Sequence, residues 1–261
     1  MKEDKPVMES VSHSEQMVSK KNVYEFWVES TNDFFSEKKT GIDISHKQDS
    51  YWKYLDLWEK EIILENLSGN LILDLGAGTG RITEYLRAKG KKVIAADFVY
   101  EALTAIKGNN GFSPKANMDV TSLGFKNSSI DCVFACRVLQ SLPTMEEKEA
   151  AVSEIARVLK SGGNLILTEG NPLRVKFAPV PYNFYITIKE WTHLLNKHGF
   201  RIIRTYGIPF LTAVKVLDTV SRGLTSDLPT FAKIANILDR KFGQTFLKKL
   251  SLQHDIIAIK V

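Results

Sequence analysis

Residues Leu73 to Arg81 read L-D-L-G-A-G-T-G-R, and they follow Leu71 and Ile72 without a break. Four apolar residues interrupted only by Asp74 predict a short buried strand. Gly76, Gly78 and Gly80 come next, so the strand runs into a tight turn, and a helix is expected from about Arg81. These glycines can take backbone angles closed to other residues and put no side chain between the chain and a ligand. Thr79 is placed to cap the helix. A strand, a glycine turn and a helix amino terminus together make a nucleotide-binding corner.

Spacing separates the nucleotides such a corner can take. The dinucleotide fingerprint is G-x-G-x-x-G, whereas here it is G-x-G-x-G with Arg81 where the third glycine would sit. Asp74, two residues before Gly76, also argues against NAD, because a carboxylate there repels a pyrophosphate and attracts an ammonium group. The stretch resembles the first motif of the class I S-adenosylmethionine-dependent methyltransferases, and the resemblance extends over roughly residues 67–206 and the last strand. It implies a doubly wound, Rossmann-like α/β fold with a seven-stranded, mostly parallel sheet and an antiparallel last strand. It also implies S-adenosylmethionine as cofactor, with Asp74, Gly76, Ala77 and Gly78 among its contacts.

Upstream of the turn, 1–21 is polar and expected to be flexible. Val23, Phe26, Trp27 and Phe34, then Tyr54, Leu57, Trp58, Ile62 and Leu67, recur at helical spacing and predict two helices within 22–67. The polar stretch 38–50 between them reads as a loop. An aromatic-rich amino-terminal helix lies over cofactor and substrate in many family members, which makes Tyr24, Phe26 and Trp27 lid candidates; packing against the sheet is the plainer alternative.

Downstream, the second strand ends at Asp97, 21 positions past Gly76. In a doubly wound sheet an acidic residue there accepts both ribose hydroxyls, although it can equally cap a helix. Phe98 is placed to pack on an adenine face. A weak third strand leads to Asp119 and Val120, to which the resemblance gives the adenine amino group and a ring nitrogen. Residues 130–136 form a fourth, buried strand. After it the family offers a backbone carbonyl, here from Cys136 or Arg137, to the cofactor's ammonium. Gln140 stands where small-molecule members often have histidine. No N-P-P-[FY] tetrad follows, which argues against methylation of nucleic-acid bases. A helix over 144–159, stopped by Ser161-Gly162-Gly163, precedes a fifth strand, 164–168. Glu169 and Asn171 then fall at the ligand edge of the sheet as substrate contacts or loop caps. A helix from 187 to 198 and a strand from 200 to 206 follow, with His193 and His198 read as structural, and the last strand is 254–261.

The methyltransferase core is thus 68–206 with 254–261. Residues 207–253 depart from the family: a short connection is usual there, and here helical patterns at 210–222 and 229–250 suggest an insertion that caps the active site.

Composition agrees with one domain carrying additions: 261 residues, 44% hydrophobic, 25% charged. No signal-peptide run and no stretch of roughly 18 apolar residues is present, so a cytoplasmic protein is expected. Cys132 and Cys136 lie four apart in a strand, on one face and without a second pair, and read as core thiols; no metal is expected. The charge of +5 and pI near 9.0 are mildly basic. Between 208 and 250 seven basic residues oppose three acidic ones, so most of the excess lies in the insertion, where it would suit weak contact with an anionic surface.

The expected reaction is displacement at a sulfonium methyl by an oxygen, nitrogen or carbon nucleophile of a small-molecule acceptor. The cofactor is already activated, so alignment carries the catalysis and no residue is singled out as a base; Tyr24, Tyr182, Tyr185, His46 and Glu169 remain candidates. The rival readings are a cofactor-binding scaffold, an RNA or protein methyltransferase using the basic insertion, and an NAD-dependent oxidoreductase, the last disfavoured by the glycine spacing.

Overall fold

The computed structural model describes residues 20–37, 50–108, 113–173, 182–221 and 229–261. Residues 1–19 of the expected flexible start, the 38–50 loop but for its last residue, and His46 lie outside these residues, whereas Lys20 and Lys21, also expected to be flexible, open a helix. Two helices, α1 (Lys20–Glu37) and α2 (Ser50–Asn66), precede β1 (Leu71–Leu75). Alternation follows: α3 (Arg81–Ala88), β2 (Lys92–Asp97), α4 (Tyr100–Thr104), β3 (Lys115–Asn117), β4 (Ile130–Cys136), α5 (Met145–Val158), β5 (Leu159–Gly170), α6 (Ile188–Lys197) and β6 (Phe200–Gly207). Then come α7 (Pro209–Val220), α8 (Pro229–Phe242), a 3-10 turn (Phe246–Leu250) and β7 (Gln253–Lys260).

The seven strands form one sheet in the order β3-β2-β1-β4-β5-β7-β6, with β7 antiparallel to both neighbours, as expected. β1 sits between β2 and β4 with both faces covered, so its sequence is apolar throughout except at Asp74. On one face Leu73, Val133 and Leu165 pack under α5 and α6; on the other Ile72, Phe134 and Ile166 pack under α2, α7 and α8. Cys132 belongs to this second face and Cys136 packs beside it, and burial pushes their thiols up to about 11 and about 12. Among the described residues no group of three or more histidine, cysteine or acidic side chains could hold a metal, and no helix is long and apolar enough to cross a membrane.

Several element ends differ from those expected. α3 is not capped by Thr79: its cap position is Gly80, at φ 87°, with no side-chain cap bond. Ser161-Gly162-Gly163 does not end a helix but makes a bulge inside β5, where Leu159 still pairs with Ile130 and the register resumes at Asn164 and Cys132. A Cβ on Gly163 would stand 2.7 Å from the Asp131 carbonyl, which explains the glycine. The helical pattern of 229–250 breaks at Gly243, whose carbonyl accepts the Gly207 amide at 2.9 Å, tying the insertion to the end of β6.

Asp255 in β7 is fully buried; Trp58 of α2 donates to it at 2.6 Å and Gln253 at 2.9 Å. Burial pushes its carboxyl up to about 7. A raised carboxyl contributes stability that is complete below its unfolded value near 3.8 and lost as the pH rises through about 7. Asp255→Asn should therefore flatten the fall in stability across that window, because an amide does not titrate; its carbonyl still accepts from Trp58, and with the Gln253 amide turned over its NH2 donates to the otherwise unpartnered Gln253 Oε1. Urea midpoints measured from acid to neutral pH check it; an unchanged profile would mean that Asp255 is not the titrating group.

Candidate cofactor site

The strand order reverses between β1 and β4, the switch point beyond whose strand ends doubly wound sheets take their ligands. There the Gly76 and Ala77 amides both donate to the Ala96 carbonyl of β2, at 2.8 and 3.0 Å. Gly76 has φ 70°, and a Cβ on it would fall 2.2 Å from a Val138 methyl, so the turn can nest against the loop after β4 only without one. Gly78 has φ 53°, and a Cβ there would meet nothing within 4 Å. Its bare backbone therefore borders open space.

Asp97 ends β2 and is 8% exposed. Its Oδ2 accepts the Gly78 amide at 2.7 Å and its Oδ1 the Val99 amide at 2.9 Å. The carboxylate thus caps its own strand-to-helix turn and steadies the glycine loop, and each oxygen keeps a second lone pair for a ligand. Burial raises its pKa against the opposing pull of these amides. Phe98 is half-buried, with the Tyr24 ring of α1 edge-on at 5.5 Å. Asp119 Oδ1 accepts from the Thr121 amide and hydroxyl, and its Oδ2 meets Lys20 of α1 at 3.0 Å. Val120 beside it is half-buried. Further along, Phe26 meets the ring of Tyr182 at 5.7 Å. The first half of α1 thus touches both the β2 and β3 strand ends and the segment before α6.

Asp74 lies behind the turn: it is 2% exposed, and its Oδ2 accepts the Thr83 hydroxyl of α3 at 2.5 Å. Burial pushes its carboxyl up to about 7. What the structure gives it is a structural task, pinning α3 to β1.

Beyond β4, Arg137 takes a left-handed φ of 60°, its amide donating to the Thr168 carbonyl at 2.7 Å. A 3-10 turn, Leu139–Ser141, follows and is clamped by two buried charges. Glu169 accepts the amides of Val138, Leu139 and Gln140 at 3.2, 2.9 and 2.7 Å. Lys148 of α5 donates to the carbonyls of Leu139 and Leu142. Burial pushes Glu169 up and Lys148 down. Gln140 turns inward, accepting the Gly170 amide at 2.7 Å, and Asn171 donates to the Ser251 carbonyl at 2.7 Å. Glu169 and Asn171 thus both cap backbone groups of neighbouring loops. Tyr182 is 39% exposed, whereas Tyr185 is 8% exposed with its hydroxyl bonded to Asn183 at 3.1 Å.

Sequence reasoning missed Glu59. It comes from α2, is fully buried, and lies 2.6 Å from Arg81 and 3.3 Å from Arg137. Arg81 also pairs with Asp56 at 2.6 Å. The arginine in the place of the third glycine is the anchor of α2 on the turn. The available signal was an acidic residue on the apolar stripe of a helix, four after Leu55 and four before Ile63.

A reversed strand order, an acidic residue at the end of β2 and a turn with glycine at 76, 78 and 80 define a nucleotide-binding α/β domain of the Rossmann-like kind. Residues 73–167 match the methyltransferase domain family. The chain is 31% identical over 200 residues to phosphoethanolamine N-methyltransferase 1 of Triticum aestivum, covering 70% of this chain and 38% of that protein. It is 28% identical over 138 residues to demethylmenaquinone methyltransferase of Thermobifida fusca, covering 51% of this chain and 56% of that one. It therefore spans less than two thirds of the length of either. Among solved structures it resembles the [4+2]-cyclase SpnF (TM-score 0.65, 17% identity, 93% of this chain and 97% of that one). It also resembles phosphoethanolamine N-methyltransferase 1 of Haemonchus contortus (TM-score 0.62, 15% identity, 94% of this chain and 50% of that one). These matches place residues 73–167 in the methyltransferase domain family and give the chain the fold of the class I S-adenosylmethionine-dependent methyltransferases.

Proposed function

We propose that this protein binds S-adenosylmethionine at the glycine turn and catalyses methyl transfer to an oxygen, nitrogen or carbon nucleophile of a small-molecule acceptor. The observation that carries this reading is the pairing of Gly78 with Asp97: open space beside a bare backbone, faced by a nearly buried carboxylate with lone pairs to spare. Asp97 would hold the ribose hydroxyls, Phe98 the adenine face, Asp119 and Val120 its edge. Gly76, Ala77 and Gly78, with carbonyls from Cys136 or Arg137 and Asp74 behind the turn, would hold the amino-acid end. The bound group supplies an electrophilic methyl on a positively charged sulfur. The chain's own contribution is then to bind, to align the acceptor and to exclude water.

α1 suits a lid, since Lys20, Tyr24 and Phe26 bring it onto Asp119, Phe98 and Tyr182. α7 and α8 suit a wall of the acceptor cavity built through α2, over whose Tyr51 and Trp52 rings Lys215 sits. The names of the wheat and Thermobifida relatives, both methyltransferases of small molecules, favour a small acceptor over RNA or protein.

Calorimetric titration with S-adenosylhomocysteine and with NADH tests the cofactor; affinity for NADH alone would overturn the reading. Release of S-adenosylhomocysteine on incubation with candidate acceptors tests the transfer. Gly78→Ala puts a methyl into the ligand's space at a left-handed position, so affinity for S-adenosylhomocysteine should fall about tenfold, or ~1.4 kcal/mol. Thermal melting, shifted by only a few degrees, would show the fold intact.

A further inference from the structure

Helices on a protein surface normally bury their apolar residues and show water their polar ones. The insertion does not. α8 buries Ala232, Ala235, Asn236 and Asp239, and turns Phe231, Ile234 and Ile237 outward, 61%, 49% and 62% exposed. α7 buries Leu211, Thr212 and Val214 while Leu217 and Val220 face out at 59% and 74%. Phe246 and Leu250 of the 3-10 turn that packs on α7 and β6 are 76% and 58% exposed. Of fifteen exposed large apolar side chains among the described residues, seven lie in this one unit, so the pattern is local and not general.

Cations are interleaved with these side chains. Lys233 and Lys241 share the outward side of α8 with Ile234 and Ile237, and Lys249 stands beside Leu250. Asp239, one of the unit's few acids, is removed from the surface: it is fully buried and accepts the Phe210 and Leu211 amides, both at 3.0 Å. Against β6, a shallow groove of about 270 Å³ is lined by Arg204 and Lys248 together with Thr205 and Gln244. The face therefore offers bulky apolar groups at its crest and positive charge among and beside them.

We infer that this face docks on the surface of an anionic lipid bilayer, Phe246, Ile234 and Ile237 entering the interface and the lysines meeting headgroup phosphates. Apolar side chains that enter the acyl boundary and lysines that meet anionic headgroups are the two terms of interfacial binding. A nucleic acid would reward the cations and stack on the phenylalanines, but would gain nothing from the exposed isoleucines and leucines among them. The contact is peripheral, since no described helix is long and apolar enough to span.

Flotation of the full chain with vesicles of pure phosphatidylglycerol and of pure phosphatidylcholine tests this. Binding to the first and not the second is expected, weakening with salt. Lys233→Gln and Lys241→Gln should each lower partitioning about fivefold, at ~1 kcal/mol per cation. The double change Ile234→Ser and Ile237→Ser should lower it at least tenfold while leaving S-adenosylhomocysteine affinity and melting unaltered, which separates this inference from the cofactor reading. Absence of vesicle binding would overturn it. So would binding indifferent to the isoleucines, or a dimer in sedimentation that the serine variant dissociates, since a second copy would then be the occupant. RNA binding that survives the serine changes, with no vesicle binding, would assign the face to nucleic acid instead.

Discussion

Asp97→Ala should raise the dissociation constant for S-adenosylhomocysteine by roughly ten- to 150-fold, about 1.5 to 3 kcal/mol, the range for charge-assisted hydrogen bonds lost together. Two effects of the same sign contribute. The ribose hydroxyls lose their acceptor, and the Gly78 and Val99 amides, which donate to Asp97 at 2.7 and 2.9 Å, lose theirs. The second effect loosens the glycine loop itself. Titration with adenosine distinguishes ribose binding from general disorder: if Asp97 holds the ribose, adenosine weakens by the same factor as the whole cofactor product. Equal affinity of variant and parent for both ligands would remove Asp97 from the cofactor site.

The order of elements was legible because it rests on local, periodic signals. Apolar runs such as 71–75, closed by Gly76, and 130–136 read directly as buried parallel strands, and the antiparallel final strand came with the family resemblance. The element ends were less legible, because they are decided by contacts from elsewhere in the chain. Ser161-Gly162-Gly163 looks like a helix stop until the Asp131 carbonyl is seen against Gly163. Gly243 looks like a tolerated helix residue until Gly207 is found bonded to it. The nucleotide corner was readable from spacing alone, since Asp97 and the turn are one strand and one helix apart. The inward roles of Glu169, Gln140 and Asn171 were not: each is defined by amides or carbonyls on other segments, up to 80 residues away. Fold analogy licenses the cofactor through such local spacing, and says much less about an acceptor whose walls come from long-range packing.

Glu59 presents the sharpest case of a residue whose effect should exceed anything its sequence context announces. It is fully buried, with Arg81 at 2.6 Å and Arg137 at 3.3 Å, so one carboxylate joins α2 to the glycine turn and to the loop after β4. Burial by itself would raise its pKa, but Arg137 and then Arg81 outweigh it and hold the carboxyl below its ordinary 4.5. Removing one member of such a pair strands the charge of the others in a low-dielectric setting, which costs about 3 to 5 kcal/mol. Glu59→Gln, nearly isosteric, should lower stability by that amount in urea denaturation. Asp56→Asn breaks the partner contact to the same Arg81 at a site 18% exposed, and should cost about 1 kcal/mol or less. The sign of the pH dependence follows from the depressed carboxyl: its contribution is complete above about pH 4.5 and lost as the pH falls through the folded value, so the Gln variant should lack that acid-side loss. Because the triad also holds Arg137, which the proposed site puts beside the cofactor's amino-acid end, S-adenosylhomocysteine affinity should fall in the variant even at temperatures where it remains folded. A variant as stable as the parent, with unchanged acid sensitivity, would show that the two arginines are held by other partners and that α2 reaches the turn by packing alone.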